Sequence, residues 1–563
     1  MHQNIITFVY IGLFICGFII TPAIFADVQD SSDNEIYEGY ILFAPEYSTK
    51  TFLFDMNNDI IHSWDSEYMQ GLPVYLLENG NLIRGCSKLN NPMVGGGFTG
   101  RVELMDWSGT LLWEFDYSNT KHCLHHDIEV LPNGNVLMIA WEHKSKYEAT
   151  NAGINPNNLP ENELWVDHII EVEPTGKSGG NIVWEWHVWD HLIQDYDSTK
   201  ENFGIISEHP ELVDINCAPG RIDFNHINSI DYNEELDQIL LSSNQQNEIW
   251  IIDHNTTTKE AAGHTGGRYG KGGDLLYRWG NPQIYNRGSI LDKILFGQHD
   301  AQWIEKGYPG EGNILIFNNG VGRPNGRYST IDEILPPITN NGSYYLPAYK
   351  AFGPEEIIWQ YKAPNPSTFF ASHISGADRL PNGNTLICNG EKGYFFEVNH
   401  EKETVWEYQN SYPNPSISQV FKIHKYGPEY PGLGKLYKQP DKPDIQGPSV
   451  GSIDIKYTFI SETNDPEDDD VYYYFDWGDD TNSGWLGPYT SGKECHAGHS
   501  WQEKGDFKVK VKAKDIHGLE SEWSESLTIS MPKNRFQFTE LLDFIEENEY
   551  LIQLLKYVIL INS

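Results

Sequence analysis

The segment Leu131-Pro-Asn-Gly-Asn-Val-Leu-Met-Ile139 sets an Asn-Gly turn directly before a run of apolar, β-favouring residues. A turn followed by such a run recurs three times, as Leu77-Glu-Asn-Gly-Asn-Leu-Ile, Gly310-Glu-Gly-Asn-Ile-Leu-Ile-Phe and Leu380-Pro-Asn-Gly-Asn-Thr-Leu-Ile, of which the second has Glu-Gly in place of Asn-Gly. A further variant without the Asn-Gly turn begins at Glu235. Asn-Gly between apolar runs is typical of a two-residue hairpin in which both turn residues have positive φ. The repetition predicts a fold made of copies of one antiparallel unit.

A second repeated unit is an apolar pair followed by an aromatic residue. Its six copies end at Trp64, Trp113, Trp184, Tyr277, Trp359 and Trp406. Six copies with hairpins between them predict an all-β fold, a six-bladed β-propeller of four-stranded blades over residues 38–437. We expect the segment from Val420 to Tyr426 to supply the strand that closes the ring against the N-terminal blade. An all-β array that does not close is the alternative.

The composition narrows the class of partner. Lys and Arg total 39 and Asp and Glu total 80, so the formal net charge of the 563-residue chain is −41. Such an acid excess repels phosphate backbones and anionic lipid, which excludes nucleic acid as a partner. With 17 Trp, 32 Tyr and 25 Phe the chain has ample apolar material for a large core, so global disorder is excluded as well.

The N-terminal 26 residues read as an export signal, because a nearly continuous apolar run from Ile5 to Ile20 is followed by Pro22 and by the small residue Ala26. The signal predicts a secreted protein or one on the outer cell surface. The segment before the apolar run has no Lys or Arg, so an uncleaved anchor is the alternative. The five remaining cysteines do not predict a disulfide scaffold, and the chain has no CxxC pair, so no metal site is predicted.

The chain after the repeats divides into three parts. Residues 438–449 are rich in Pro and Gly and predict a linker. Residues 450–532 resemble a PKD domain, a small immunoglobulin-like β-sandwich, on the motif Phe475-Asp-Trp-Gly-Asp-Asp480 and on His499-Ser-Trp501. Residues 536–563 have helical periodicity and predict a docked amphipathic helix, with a surface-retention element as the alternative. Association with a cell or membrane surface would run through these two parts.

Three histidines occupy the same position in three repeats. His126, His226 and His299 each begin a predicted strand, and Ser375 takes the matching position in the last repeat. In a propeller the first strand of each blade lines the central channel, so residues in register converge on one axis. A single histidine at a strand start is usually an ordinary hydrogen-bonded residue, but three in register favour a functional site.

The other histidines lack this register. We expect His125 to face the opposite side of its strand from His126. His373 is expected either to contact the rim of the site or to have no role. Four further histidines are expected at the surface: His122, His187, His191 and His264.

Two kinds of chemistry suit three converging imidazoles. A neutral imidazole is a nucleophile and a proton carrier near neutral pH. Three imidazoles can also bind a transition metal, as in a hydrolase with an open coordination position. The absence of a HExxH pair or a similar local motif makes metal the second choice.

Six segments together resemble the arylsulfotransferase family over residues 38–435. They begin at His125, Phe224, Ile249, Gly273, Phe296 and Ile374. The resemblance implies a six-bladed propeller that moves a sulfuryl group from a phenolic sulfate ester to another phenol without a nucleotide donor. It also implies a ping-pong mechanism through a sulfohistidine, small-molecule aryl sulfates and phenols as partners, and no cofactor.

The resemblance assigns roles by motif. His299, in Gly-Gln-His-Asp, corresponds to the nucleophile. His126 and His226 would hold sulfuryl oxygens or handle the phenol proton, with Asn228 as a further donor. Ser375 falls where the family has a hydroxyl residue.

One position departs from the family pattern. Where the family usually has Ser-Ser-Arg, this chain has Ser242-Ser-Asn244. Replacing an arginine by Asn244 removes a charge-assisted contact, which could cost about 2–4 kcal/mol of transition-state binding. Three arginines could compensate: Arg221, Arg323 and Arg379. Two other functions therefore stay open, a non-catalytic ligand-binding propeller and a metal-dependent hydrolase or lyase that uses the three histidines.

Overall fold

The computed structural model describes residues 35–88, 91–159 and 163–531. Near the C-terminus it also describes residues 547, 548, 550, 552, 553 and 556. The predicted signal segment 1–26 lies outside the described residues, as does most of the helix predicted at 536–563. The described chain is an all-β protein with two short α-helices, α1 (Lys146–Asn151) and α2 (Thr258–Ala261). None of the helices in this part of the chain is long and apolar enough to span a membrane.

Between Tyr40 and Tyr426 the chain forms six four-stranded antiparallel sheets that follow one another in sequence. The first sheet contains β1 (Tyr40–Phe43), β2 (Lys50–Phe54) and β3 (Ile60–Asp65). The second contains β4 (Gln70–Leu76), β5 (Leu82–Ser87), β6 (Gly100–Met105) and β7 (Leu111–Asp116). The third contains β8 (His122–Val130), β9 (Val136–Ser145), β10 (Glu163–Pro174) and β11 (Gly180–His187).

A short parallel pair, β12 (Leu192–Ile193) and β13 (Val213–Asp214), precedes the remaining sheets. The fourth sheet contains β14 (Ile227–Asn233), β15 (Gln238–Ser243), β16 (Glu248–Asp253) and β17 (Tyr277–Trp279). The fifth contains β18 (His299–Trp303), β19 (Ile314–Asn318), β20 (Thr330–Ile334) and β21 (Trp359–Tyr361). The sixth contains β22 (Gly376–Arg379), β23 (Thr385–Asn389), β24 (Tyr394–Val398) and β25 (Thr404–Gln409).

The first sheet takes its fourth strand from the far end of this region. β26 (His424–Tyr426) pairs antiparallel with β1, with Lys425 opposite Ile41. This strand lies in the segment that the sequence assigned to such a pairing.

Six buried apolar clusters hold neighbouring sheets together. Five of them join sheets that are consecutive in sequence. The other joins the sixth sheet to the first, where the rings of Phe43 and Phe395 are 5.6 Å apart. The repeated aromatic residues lie on the outermost strand of each sheet, and five of the six are at most 7% exposed. The aromatic repeat is therefore the packing surface between sheets.

The repeated turn connects the first and second strands of a sheet, but it is not a two-residue hairpin. Gly80, Gly134 and Gly383 have φ of +81°, +86° and +90°, whereas the asparagine before each is not in the left-handed region. The amide of Gly80 donates to the carbonyl of Leu77, as in a longer turn that ends on a left-handed glycine. The expectation of positive φ at both residues was wrong, because the glycine alone provides the reversal.

The C-terminal part is a sandwich of two sheets. One contains β27 (Asp444–Gln446), β28 (Tyr457–Glu462) and β31 (Cys495–His499), and the other β29 (Val471–Asp476), β30 (Asn482–Tyr489), β32 (Gly505–Asp515) and β33 (Leu527–Met531). Trp477 and Trp501 pack in its core. The five cysteines of the described chain are free thiols.

Candidate active site

The first strands of four sheets are bent at their start. The pairing register of β4, β8, β14 and β18 shifts there, as at a β-bulge. Leu72, His126, His226 and Asp300 lie at these bends with φ of +86°, +54°, +52° and +49°. A non-glycine residue with positive φ is uncommon, so four of them near the starts of these strands indicate bends that surrounding contacts enforce.

The bends bring the predicted histidines to one cavity of about 510 Å³. His126, His226 and His299 all line it, and the rings of His126 and His226 are 4.4 Å apart. His373, for which the sequence left rim contact or no role open, also lines it with half of its side chain exposed. Apolar residues form part of the wall: Met69, Leu72, Val94, Phe98 and Ile374. We call this space the histidine cavity.

His299 is held as a neutral imidazole with a defined tautomer. Its Nδ1 is 2.9 Å from Oδ1 of Asn319, whose Nδ2 donates to the carbonyls of Ala371 and Ile374. Since that oxygen can only accept, Nδ1 carries the proton. Nε2 then has the lone pair, which accepts from the amide of Ile374 at 3.2 Å. Burial lowers the pKa of His299 to about 3, so Nε2 is unprotonated at neutral pH.

His226 has the opposite electrostatic setting. Its Nδ1 donates to Oδ2 of Asp223 at 2.5 Å. Burial alone would lower the pKa of His226, but the charge of Asp223 and this hydrogen bond outweigh it and raise the pKa above the usual value. Trp141 fixes the carboxylate by donating from Nε1 to its other oxygen at 3.0 Å. His226 therefore takes up a proton more readily than the other imidazoles of the cavity for which burial lowers the pKa, His126 and His299.

His125 supports His126 directly. Their Nδ1 atoms are 2.7 Å apart, and the ring of His125 stacks on Trp141 at 4.1 Å. Burial lowers the pKa of both histidines, that of His125 to about 3, so both rings are neutral. One of the two Nδ1 atoms then donates its proton to the other. His125 was expected to face away from His126. The expectation was wrong, because the left-handed backbone at His126 brings consecutive side chains together.

A glycine run that the sequence reasoning missed covers two of the histidines. A Cβ on Gly97 would lie 2.1 Å from Cε1 of His126, and one on Gly96 would lie 3.5 Å from Cε1 of His226. The amide of His126 donates to the carbonyl of Gly97 at 2.7 Å. Three consecutive glycines at 95–97 were the available signal for this close approach.

The other predicted site residues surround the cavity without lining it. Nδ2 of Asn228 and Nδ2 of Asn244 both donate to the carbonyl of Gln298, at 2.8 and 3.0 Å. Both amides thus hold the backbone directly before His299. Ser375 is fully buried, and its Oγ accepts from the amide of Gly390 at 2.9 Å.

The three arginines differ in their distance from the site. Arg379 forms an ion pair with Glu333 at 2.6 Å and lines a different cavity. Arg323 donates to Oγ1 of Thr330 and lies 4.5 Å from the ring centre of Tyr328. Arg221 lines a depression that it shares with Asn244 and Lys293. Arg221 is thus the arginine of the three that lies beside the departure from the family pattern.

A buried ion cluster lies below the bends. Nζ of Lys422 is 2.9 Å from Oδ2 of Asp127 and 3.2 Å from Oδ1 of Asp300, the residues that directly follow His126 and His299. Although burial opposes it, the two carboxylates raise the pKa of Lys422 well above the usual value. The cluster joins the third and fifth sheets through their bends.

A second cavity, also of about 510 Å³, includes Asp300 and Lys422 in its wall. Several carboxyl groups line it: Glu78, Glu129, Asp231, Glu305 and Asp378. Burial raises the pKa of Asp231 to about 7. This cavity therefore combines several carboxyl groups with the cationic side chains of Arg379, Lys422 and Lys425.

The expectation that His191 lies at the surface was wrong, because Trp186 and the glycine-rich loop at 263–273 cover it completely. His264, in that loop, is exposed as expected.

Comparison with known families supports the resemblance. The family described as "Arylsulfotransferase (ASST)" matches residues 26–429, and the chain belongs to this family. Membership implies a sulfotransferase, with small aryl sulfates and phenols as the class of substrate. Among solved structures, the chain is similar to the PKD domain of an M14-like peptidase from Thermoplasmatales archaeon SCGC AB-540-F20. The identity is 41%, the match covers 17% of this chain and 99% of that chain, and the TM-score is 0.17. No curated protein matches the chain.

Proposed function

We propose that this protein transfers a sulfuryl group from a phenolic sulfate ester to a phenol by a ping-pong mechanism, with His299 as the sulfated residue. The observation that carries the proposal is that a single cavity contains one imidazole of lowered pKa, His299, and one of raised pKa, His226. A nucleophile must be unprotonated, which a lowered pKa favours. An anionic sulfate donor is stabilised by a protonated ring, which a raised pKa favours.

In the first half-reaction, Nε2 of His299 gives up its hydrogen bond from the amide of Ile374 and attacks sulfur. The nitrogen–sulfur bond forms and the bond from sulfur to the phenolic oxygen breaks. The leaving phenolate takes the proton of the His226 imidazolium and departs as a phenol. In the second, neutral His226 takes the proton of the incoming phenol, whose oxygen attacks sulfur. The nitrogen–sulfur bond breaks, and both histidines return to their starting states.

The same assignment explains how the chain can work with Asn244. His226 supplies positive charge next to the nucleophile, where a family member has arginine, and His126 offers a further ring nitrogen to the sulfuryl oxygens. Asn228 and Asn244 act through the carbonyl of Gln298, holding the nucleophile in position. They are positioning residues in this proposal.

We also propose that the six sheets are the blades of a closed six-bladed propeller. The pairing of β26 with β1 and the apolar cluster between the sixth and first sheets support closure. For localisation we propose export, on the apolar run from Ile5 to Ile20 before Pro22. Recovery of the protein outside the cytoplasm, lost when residues 1–26 are deleted, would test this.

The proposed transfer is tested with a chromogenic aryl sulfate, with and without a phenol acceptor. We expect acceptor-dependent release of the chromophore, and loss of release in His299→Ala. His496→Ala, an exposed histidine of the sandwich, is the matched control and should keep full activity. Without acceptor, wild-type protein should gain the mass of one SO₃ group, on His299.

Two results would contradict the proposal. Undiminished release in a folded His299→Ala variant would remove His299 from the chemistry. A folded wild-type protein that releases no chromophore from any aryl sulfate, yet binds it, would favour the ligand-binding propeller.

The metal-dependent alternative gains no support from the geometry of the three channel histidines. One group of three ligating side chains among the described residues has donor atoms within 4.8 Å of one another. That group does not contain His126, His226 or His299.

A further inference from the structure

A second histidine cluster lies away from the histidine cavity, between the third and fourth sheets. His191 ends a single 3₁₀ turn, Val188–His191, that follows β11. His264 lies in a glycine-rich loop, residues 263–273, that runs from α2 towards β17, and Asp274 directly follows this loop. Three side chains from two separate parts of the chain therefore meet at the outer side of the sheets.

The three donor atoms converge. Nδ1 of His191 and Nδ1 of His264 are each 2.8 Å from Oδ1 of Asp274. All three atoms lie within 4.8 Å of one another. His191 and Asp274 are buried, whereas the side chain of His264 is 59% exposed. A ligand at this point would be enclosed on one side and open to water on the other.

Nδ1 of His191 needs a proton or a metal ion in order to face Asp274. Nε2 of His191 is 2.8 Å from the carbonyl oxygen of Ala261, which can only accept, so Nε2 carries a proton. In a neutral imidazole Nδ1 then has a lone pair, and it faces a carboxylate oxygen 2.8 Å away. Two facing lone pairs require either a second proton on this fully buried ring or a cation between them. A ring whose other N–H is held by a carbonyl is also the usual setting of a metal-ligating histidine.

The surroundings hold His191 rigidly. Trp186 stacks on its ring at 5.7 Å with an interplanar angle of 10°, and Nε1 of Trp186 donates to the carbonyl of Gly273 at 2.7 Å. A Cβ on Gly273 would lie 2.0 Å from the oxygen of Ala261 and 2.6 Å from Nε2 of His191. The glycine therefore allows the loop to pass close to the ring. Such a fixed ligand loses little conformational freedom when an ion binds.

We propose that His191, His264 and Asp274 bind one divalent transition-metal ion, Zn²⁺ by ligand chemistry, with water in the fourth position. Two imidazoles and one carboxylate suit Zn²⁺, whereas Ca²⁺ and Mg²⁺ prefer oxygen ligands alone. The ion fixes the glycine-rich loop to the end of the third sheet. This site stands apart from sulfuryl transfer, and the sequence analysis did not predict it.

The test uses the full chain, freed of metal by chelation and titrated with Zn²⁺. We expect one tightly bound Zn²⁺ per chain by elemental analysis after dialysis. His264→Ala should weaken binding by at least about 100-fold, as much as the loss of a strong supporting contact costs. The control is His209→Ala, an exposed histidine that lines the same surface depression but lies outside the cluster.

Cobalt gives a second readout. Co²⁺ should produce the visible absorption of a tetrahedral site in wild type and His209→Ala, and not in His264→Ala. Wild-type protein that binds no Zn²⁺ at micromolar concentrations would overturn the proposal. Equal binding by wild type and His264→Ala would also overturn it.

Activity separates this site from the catalytic one. His264→Ala should lose the metal and keep sulfuryl transfer, and chelation should lower the unfolding temperature of wild type without lowering that of His264→Ala. A variant that loses transfer together with the metal would contradict a purely structural ion. Because His264 is exposed, its replacement leaves the core intact, so each result reports on binding.

Discussion

His226 determines how an acidic protein can attract an acidic substrate. The net charge of −41 repels sulfate, and the arginine of the family pattern is replaced by Asn244. Asp223 nevertheless raises the pKa of His226 against the effect of burial, which favours the protonated ring inside the histidine cavity. The local charge at one ring therefore matters more for the substrate than the charge of the whole chain.

The pH dependence of transfer follows from this ring. With its raised pKa, His226 is protonated below that pKa and loses its charge as the pH rises through it. Activity should therefore fall on the alkaline side. In Asp223→Asn the raising influence is gone and burial remains, so the alkaline limb of kcat/KM for the aryl sulfate should move to lower pH.

Asp195→Asn, a change at an exposed carboxylate, is the control and should leave the profile in place. An alkaline limb that does not move in folded Asp223→Asn would mean that His226 does not act as the cation.

The sequence predicted individual site residues where those residues occupy the same position in several repeats. His126, His226 and His299 occupy equivalent places in three repeats, so their convergence could be predicted without any structure. Asp223 and Asn319, which set the charge and tautomer of these rings, lie in loops that no repeat relates to one another. Their contacts depend on the path of the chain in three dimensions, which a linear pattern does not contain.

At the scale of elements, the bent strand starts and the glycine run together position His126 and His226. The bends turn His126 and His226 into the cavity, and the backbone at 95–97 packs against both rings. Sequence patterns predicted the hairpins and the six copies of the aromatic unit, because each needs only short-range periodicity. The bends escaped prediction, since a bulge depends on which contacts hold it and its residues show no fixed type.

Gly97→Ala tests this packing. The new Cβ would overlap the ring of His126, so we expect His126 to shift and transfer to fall at least about tenfold, a barrier change of roughly 1.4 kcal/mol. Turnover of the chromogenic aryl sulfate measures the effect.

Gly109→Ala is a closely matched control. Gly109 has φ of +83° against +82° for Gly97, but nothing lies within 4 Å of its added Cβ. Both variants should lose about 1 kcal/mol of stability through the left-handed backbone, in thermal unfolding. Equal loss of transfer in both variants would show that strain, and not contact with His126, is responsible.

At the scale of the whole molecule, the six sheets and the C-terminal sandwich have separate cores. Each sheet shares apolar clusters with two neighbours, whereas the sandwich has a cluster of its own. The repeats predicted the number of four-stranded sheets and their order along the chain. The repeats did not predict that Leu433 and Tyr437, in the segment after β26, pack against the first two sheets.

This division predicts where the chain can be shortened. A chain that ends at Lys438 keeps β26 and the segment packed on the first two sheets, so it should fold and retain transfer. A chain that ends at Gln419 lacks β26 and should lose its cooperative thermal transition. The two are compared by circular dichroism during heating, and a cooperative transition in the shorter chain would show that β26 is dispensable.

The pairing of β26 with β1 has a consequence for the order of synthesis. A ribosome makes Tyr40–Phe43 long before it makes His424–Tyr426, so the first sheet waits with one edge uncovered while the other five sheets are added. An uncovered edge accepts any passing strand. Nascent chains released too early would carry this edge permanently, and two such chains could pair with each other through it.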